Sequence, residues 1–306
     1  MADKLNHTPT GSEVATAADA PMASVSYHLP AEPLRAAITT YYLVKVTGPG
    51  IVRDQIFPEW PNFRMILTGD WTADFPDQPT RPVPRDGVTG ALERAVWVQG
   101  TAGLMVGVGL MPQGWPMLTS LSADGFTNRM RPLADALGGA SDQLHRRLSE
   151  APNEPAIFAI LDEVFAGLLH EVPEAALVAQ AHAGLQDPAT QTVADWARAV
   201  GLSSRQLERI SLRFFGLSPK RLLRRQRVLR TLAAMRESPD GNWSQSLDAQ
   251  FTDQAHFIRE FRYYMGMSPS AYLAREQPFM AEAWKRRKAL LGSPVQVLQP
   301  ASDVGS

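Results

Sequence analysis

Leu207-Glu208-Arg209, followed after six residues by Gly216-Leu217-Ser218-Pro219, returns fifty positions later as Phe257-Ile258-Arg259 with Gly266-Met267-Ser268-Pro269. Each block has the spacing of an amphipathic helix ending on glycine, the residue that accepts the left-handed turn closing a helix. Each Ser-Pro then starts another helix, serine as N-cap and proline at the first helical position. Ahead of the first block, Thr192 caps a short helix with Val193, Trp196, Ala197 and Val200 inward. Gly201 breaks it, Leu202 fills the corner, and Ser203 with Gln206 has the spacing of a reciprocal cap for the next helix. Helix, glycine turn, helix is a helix-turn-helix pattern. The second unit runs from Trp243 to Gln250, turns at Phe251 and restarts at Thr252 or Asp253. There Ser246 stands for Ala197 and Gln250 for Gly201, and the turn is one residue longer. Between the units, a helix from Lys220 to about Glu237 carries Leu222, Leu229, Leu232 and Ala233 on one stripe.

Charge sets this region apart. Residues 192–290 hold 18 Lys+Arg against 9 Asp+Glu, a net of +9, while the other 207 residues carry 12 against 22, a net of −10. The near-neutral total of −1 therefore hides a basic C-terminal domain, the electrostatic footprint of a nucleic-acid binder.

The stretch 252–261, continuing to Gly266-Met267-Ser268-Pro269 and Tyr272, resembles the signature of AraC-type transcription regulators. The tandem arrangement with its longer second turn does too, and the resemblance spans roughly 190–278. Departures are Gln250, Ser246 and Ser211, where that family usually has glycine, alanine and phenylalanine. The N-terminal part is similar to a cupin-like sensor domain through Tyr27-His28-Leu29-Pro30, Leu34 with Tyr41-Tyr42, Phe57-Pro58 and the run 107–114. These resemblances imply a sensory domain joined to a DNA reader.

The remaining chain fits that plan. A length of 306 residues suits two domains. Residues 1–22 and 293–306 read as disordered tails, 23–125 as a β-rich sensor domain, 126–190 as a helical segment and connector, and 191–292 as the tandem helix-turn-helix domain. The expected fold is α+β multidomain: a β-rich, cupin-like barrel with flanking helices, then an all-α domain whose two units are joined by a long helix. Within the first part, Leu34 to Tyr42 has helix spacing, and 171–190 reads as a connector. Strand character appears at Leu43–Val46, Ile51–Phe57, Phe63–Leu67, Ala95–Val98, Leu104–Leu110 and Met117–Ser120. Helical spacing resumes after Phe126.

Cysteine is absent, which removes disulfides, thiolate metal sites and cysteine nucleophiles. The six histidines include no His-x-His pair, and no phosphate loop, dinucleotide fingerprint or Gly-x-Ser-x-Gly occurs, so neither metal nor cofactor is expected. With no apolar stretch of membrane length and no signal-peptide core, a cytoplasmic protein is expected. An enzyme-like barrel tethered to DNA and an architectural DNA binder are the alternatives to a non-enzymatic regulator.

Leu207, Ile210 and Phe214 share a face that must be buried, leaving Arg205, Glu208 and Arg209 for base edges. In the second unit Phe257 and Phe261 face inward, exposing Gln254, Ala255, His256 and Arg259. Ser203, Lys220, Arg221 and Thr252 are the expected phosphate contacts. In the barrel, Trp60, Trp71, Trp97 and Trp115 either fill the core or line a pocket for an apolar or flat ligand, oriented by Glu59, Arg64 or Gln99. The expected partners are double-stranded DNA, a small-molecule effector, RNA polymerase if the protein activates, and a second copy of the chain through residues 126–170.

Overall fold

The computed structural model describes residues 22–238, 251 and 253–300. Most of the 1–22 tail, residues 301–306, the first helix of the second unit (Trp243 to Gln250, with Ser246) and Thr252 lie outside the described residues.

The N-terminal strands are β1 (Met22–His28), β2 (Ile38–Thr47), β3 (Val52–Ile56), β4 (Asn62–Thr68), β5 (Trp71–Asp74), β6 (Arg81–Pro82), β7 (Asp86–Thr89), β8 (Val96–Gly100), β9 (Gly103–Leu110) and β10 (Met130–Pro132). They form two sheets, a six-stranded one ordered β1-β2-β9-β4-β7-β10 and a four-stranded one ordered β3-β8-β5-β6. Each pairing is antiparallel. The sheets face each other without strand pairing between them, so the expected closed barrel is instead an open two-sheet structure.

Residues 34–42, read as a helix, belong mostly to β2. The apolar spacing misled because β2 is covered on both sides, which abolishes polar–apolar alternation. Tyr41 meets Phe158 and Phe165 on one side, whereas Tyr42 meets Tyr27 on the other. Residues 117–120, read as a strand, contain the end of helix α1 (Gly114–Leu118). Pro116 fits its first turn, where no intrahelical partner for the missing N–H is needed.

Helices α2 (Ala134–Leu137), α3 (Ala140–Ser149) and α4 (Glu154–Leu168) follow. Leu144 and Leu148 of α3, with Ile157, Phe158, Leu161 and Phe165 of α4, pack on the outer face of the large sheet beside Tyr41, Phe63 and Val108. The expected two-fold dimer rests on surplus helix in this region, and these apolar faces are used by the chain's own sheet. The supposed connector holds α5 (Glu174–Gln186), which buries Val178, Ala181, His182 and Leu185. Among the described residues no helix is long and apolar enough to cross a membrane.

The helical domain comprises α6 (Val193–Ala199), α7 (Ser204–Ile210) running into a π turn at Ser211–Phe215, α8 (Pro219–Glu237), α9 (Gln254–Met265) and α10 (Pro269–Ala274). Thr192 and Asp195 close one reciprocal cap, and Ser203 and Gln206 another. Gly216 and Gly266 end the two repeated blocks at φ +77° and +71°. Both positions need glycine because a Cβ is strained there. Beyond the repeat, α11 (Met280–Leu291) turns back over the N-terminal sheets, contacting β1 and β3.

Candidate nucleic-acid interface and interior cavity

Helix α7 starts from a rigid turn, since Leu202 N donates to Ala197 O at 2.9 Å and both helices have side-chain caps. Its inward face is Leu207 and Ile210, continued by Phe214, all buried. Arg205, Glu208 and Arg209 are exposed, as the alternation of faces requires. In α9, Asp253 is the N-cap, its carboxylate accepting from His256 N at 2.6 Å. Phe257 and Phe261 are fully buried, Gln254, Ala255 and Arg259 are exposed, and His256 is half-buried with its ring against Phe251. No described carboxylate pairs with Arg205, Arg209 or Arg259. These three face outward as uncommitted cations on the two repeated helices.

The residues expected on phosphate divide differently. Lys220 is exposed. Arg221 lies 3.1 Å from Glu93 of the N-terminal domain, so its charge is already paired. Ser203 donates both its N–H and its hydroxyl to Gln206 Oε1, at 2.9 and 2.7 Å, which leaves it no donor for phosphate.

Much of the basic charge points inward. Arg224 makes a two-pronged pair with Glu260, and Arg230 donates to the carbonyls of Leu185 and Gln186. Arg275 lies 3.0 Å from Asp54. Arg225 is wholly buried on α8, donating to Leu92 O at 2.8 Å and Glu59 O at 3.3 Å, with its guanidinium 4.1 Å from the Trp60 ring centre. Burial holds its pKa down to about 9, against the raising influence of Tyr264, Glu93 and Glu59.

A cavity of about 100 Å³ lies between the two sheets and is closed by α11. Val25, Val44, Ile66, Trp71, Met105 and Phe279 give it an apolar wall, and Tyr27, Tyr42, Glu59, Arg64, Arg287 and Gln296 a polar one. Arg64 pairs with Glu59 and donates to Thr89 Oγ1 at 2.8 Å. Burial raises the pKa values of both tyrosines, with Arg287 pulling Tyr27 and Arg64 pulling Tyr42 the other way, so both are neutral hydroxyls.

Of the residues proposed for a pocket, Glu59, Arg64 and Trp71 line this cavity. Trp60 is instead buried between Arg225, His182 and Phe215. Trp115 is buried elsewhere, stacked edge-on against Phe126 with its N–H donating to Leu121 O at 2.7 Å. Trp97 and Gln99 fall on the wrong side of β8: Val96 and Val98 line the cavity, and alternation puts their neighbours on the other face. There Trp97 lies under Arg53 and Arg275, at 4.4 and 5.1 Å. Arg287 was missed because it sits in the basic run Lys285-Arg286-Arg287-Lys288, which reads as part of the nucleic-acid footprint. The signal available was Trp284 three residues earlier, on the same helical face. Among the described residues no group of acidic or histidine side chains is arranged to hold a metal ion.

A helix-turn-helix domain family matches residues 196–275. No curated protein matches the chain by sequence. Among solved structures, ToxT from Vibrio cholerae is similar at 12% identity and a TM-score of 0.42, over 73% of this chain and 97% of that one. An unsaturated fatty acid-bound ToxT from the same organism gives 11% and 0.39, over 73% and 94%. The AraC-like transcriptional activator CuxR gives 15% and 0.26, over 73% and 91%. At these values none of them assigns a residue or a ligand here. The family match falls on the capped α6–α7 pair, the long α8 and the second exposed helix α9, and residues 196–275 are a helix-turn-helix domain.

Proposed function

We propose that this chain is a non-enzymatic, one-component transcription regulator that reads operator DNA through α7 and α9 and is controlled by a small molecule in the cavity between its sheets. The reading rests first on the outward face of the repeated helices. Among the described residues Arg205, Arg209 and Arg259 have no ion-pair partner, while most neighbouring arginines are tied into the protein. Arginine suits the paired acceptors of guanine and Gln254 those of adenine, both in the major groove. Control by the cavity is supported by the connection between them. Glu59 holds Arg64 at the cavity wall, and its backbone carbonyl accepts from Arg225 of α8, the helix that joins the two units. RNA polymerase is the further partner if the protein activates.

Selecting bound duplexes from random DNA tests this. A defined consensus with two half-sites about one helical turn apart is the expected result. Recovery of unrelated sequences at equal affinity would show an architectural binder instead.

A further inference from the structure

The cavity has a charge imbalance that the fold itself does not resolve. Its charged lining residues are Glu59, Arg64 and Arg287, two cations against one anion. Glu59 is taken by Arg64. Arg287 is 7% exposed, and no described carboxylate lies within ion-pair distance of it. Its hydrogen bonds go to neutral oxygens, Gln299 Oε1 at 2.8 Å, Thr40 Oγ1 at 3.3 Å and the Tyr27 hydroxyl, and its Nε has no partner. The aromatic face beside it, Tyr27, is 5.8 Å from the guanidinium carbon. Burying an unpaired guanidinium is unfavourable, and α11 offers a solvent-facing side that takes Lys285, Arg286 and Lys288.

The charge is also held in place. Gln296, in the segment after α11, accepts from Trp60 N at 3.0 Å and Asn62 Nδ2 at 3.2 Å and donates to Leu110 O at 3.1 Å. At the other end of α11, Asp54 Oδ2 accepts from Phe279 N at 3.1 Å and Met280 N at 2.9 Å, so the helix cannot carry Arg287 out to water without breaking buried bonds. A fixed cation in the polar wall of a cavity whose opposite wall is apolar is complementary to an amphiphilic anion.

We propose that the cavity is a site for an organic acid with an apolar body, and that Arg287, from the helix beyond the DNA-binding domain, takes its negative group. The proposal rests on the ligand-controlled reading above. It places residues 280–299 in the sensor although they follow the DNA-binding domain in sequence, so one ligand touches both ends of the chain. Arg64, already satisfied by Glu59 and Thr89, orients the pocket wall and is not the primary anion partner.

The test uses the full chain and matched probes: octanoate with octanamide, benzoate with benzamide, and octyl sulfonate and octyl phosphate as other anions. Binding is read by quenching of Trp71 and Trp284, which both line the cavity, and by the shift in melting temperature. At least one acid should bind roughly tenfold or more tightly than its amide, since a charge-assisted hydrogen bond is the difference between them. Arg287→Gln should remove that preference and Arg287→Lys keep it, whereas Arg64→Lys, which preserves the charge beside Glu59, should leave it in place. Without ligand, Arg287→Gln should melt at or above the wild-type temperature, and a lower melting point would mark Arg287 as a structural pin. Equal binding of acids and amides by wild type, no binding of any anion at millimolar concentration, or an undiminished preference in Arg287→Gln overturns the site. The two alkyl anions show whether carboxylate is preferred over sulfonate and phosphate. Operator affinity measured in parallel separates the two readings: an acid that binds through Arg287 without changing DNA affinity refutes ligand control and leaves the site.

Discussion

The two helix-turn-helix units repeat in sequence but sit on the N-terminal domain in different ways. The first rests on a buried aromatic seat, in which Phe215 meets Trp60, His182 and Trp196 at ring-centre distances of 5.6, 6.5 and 6.0 Å. The second adds to one aromatic contact, Phe57 with Tyr272 at 6.4 Å, a set of polar bonds to the small sheet and the loop before β8. Gln55 donates to Met265 O at 2.9 Å, Ala95 N to Tyr264 O at 2.7 Å, and Asp54 receives Arg275 and the N–H groups of Phe279 and Met280. Buried aromatic surface loses its stabilisation as soon as the rings separate and water enters, whereas polar bonds can be exchanged for water or ligand bonds at modest net cost. The proposed effector control is therefore expected to act on the seat of the second unit.

Asp54→Ala attacks that seat most directly. Asp54 is fully buried, and its loss takes the carboxylate from a guanidinium and from three backbone donors, Gln55 N, Phe279 N and Met280 N. Destabilisation of about 3–5 kcal/mol is expected. Thr127→Val, which removes the one 2.7 Å bond to Gly216 O beneath the first unit, should cost about 1 kcal/mol. Urea unfolding of both variants gives the ratio, and equal losses would erase the distinction between the seats.

The exposed faces should show the opposite, a likeness. Arg205→Ala and Arg259→Ala are each expected to weaken specific binding by about 1–3 kcal/mol, with much smaller effects on a scrambled duplex and on stability. Titrations on both duplexes check this. Loss on both alike would make these residues phosphate contacts.

The aromatic seat contains a titratable group. Burial, aided by Arg225, pushes His182 down to about 3 from its ordinary 6.5. As pH falls through that window the unfolded chain binds the proton and the folded one does not, so stability drops with falling pH. At pH 5 the contribution is about 2 kcal/mol. His182→Gln should flatten this part of the stability–pH curve measured by urea midpoints. An unchanged curve would mean that the carboxylates carry the acid loss.

The comparison also shows where sequence was readable. The caps at Thr192 and Ser203, the glycines at 216 and 266 and the buried face of α7 follow from local rules, because a capped helix is specified by neighbours three or four residues apart. β2 was misread because both of its faces are covered, and which face is covered is a tertiary fact. The same holds for charge. Arg225, Arg275 and Arg287 look like Arg205 and Arg259 in composition, yet partners more than a hundred residues away turn them inward. A net charge reports how many cations a domain has, not where they point.

Arg221 is the residue that lies between these two uses of charge, and a last, smallest prediction turns on it. It sits beside Lys220 at the start of α8, where a phosphate contact was expected, but Glu93 holds it at 3.1 Å. Glu93 is almost fully buried, whereas half of the Arg221 side chain is exposed. Glu93 also receives Tyr263 of the second unit at 3.4 Å, so the carboxylate ties α8 and α9 to the same loop. Because the Arg221 half of the pair is in water, losing the charge on Glu93 leaves a hydrated guanidinium, not a buried one, at a cost of at most about 1 kcal/mol. Glu93→Gln should therefore lower stability by less than that while freeing Arg221 for DNA. Affinity for any duplex should rise modestly, and the slope of log affinity against log salt should steepen by about one unit, the signature of one more phosphate contact. Pairing Glu93→Gln with Arg221→Ala should cancel the gain. A salt slope identical in wild type and Glu93→Gln would mean that Arg221 never reaches phosphate, and that the N-terminal domain holds it for structure alone.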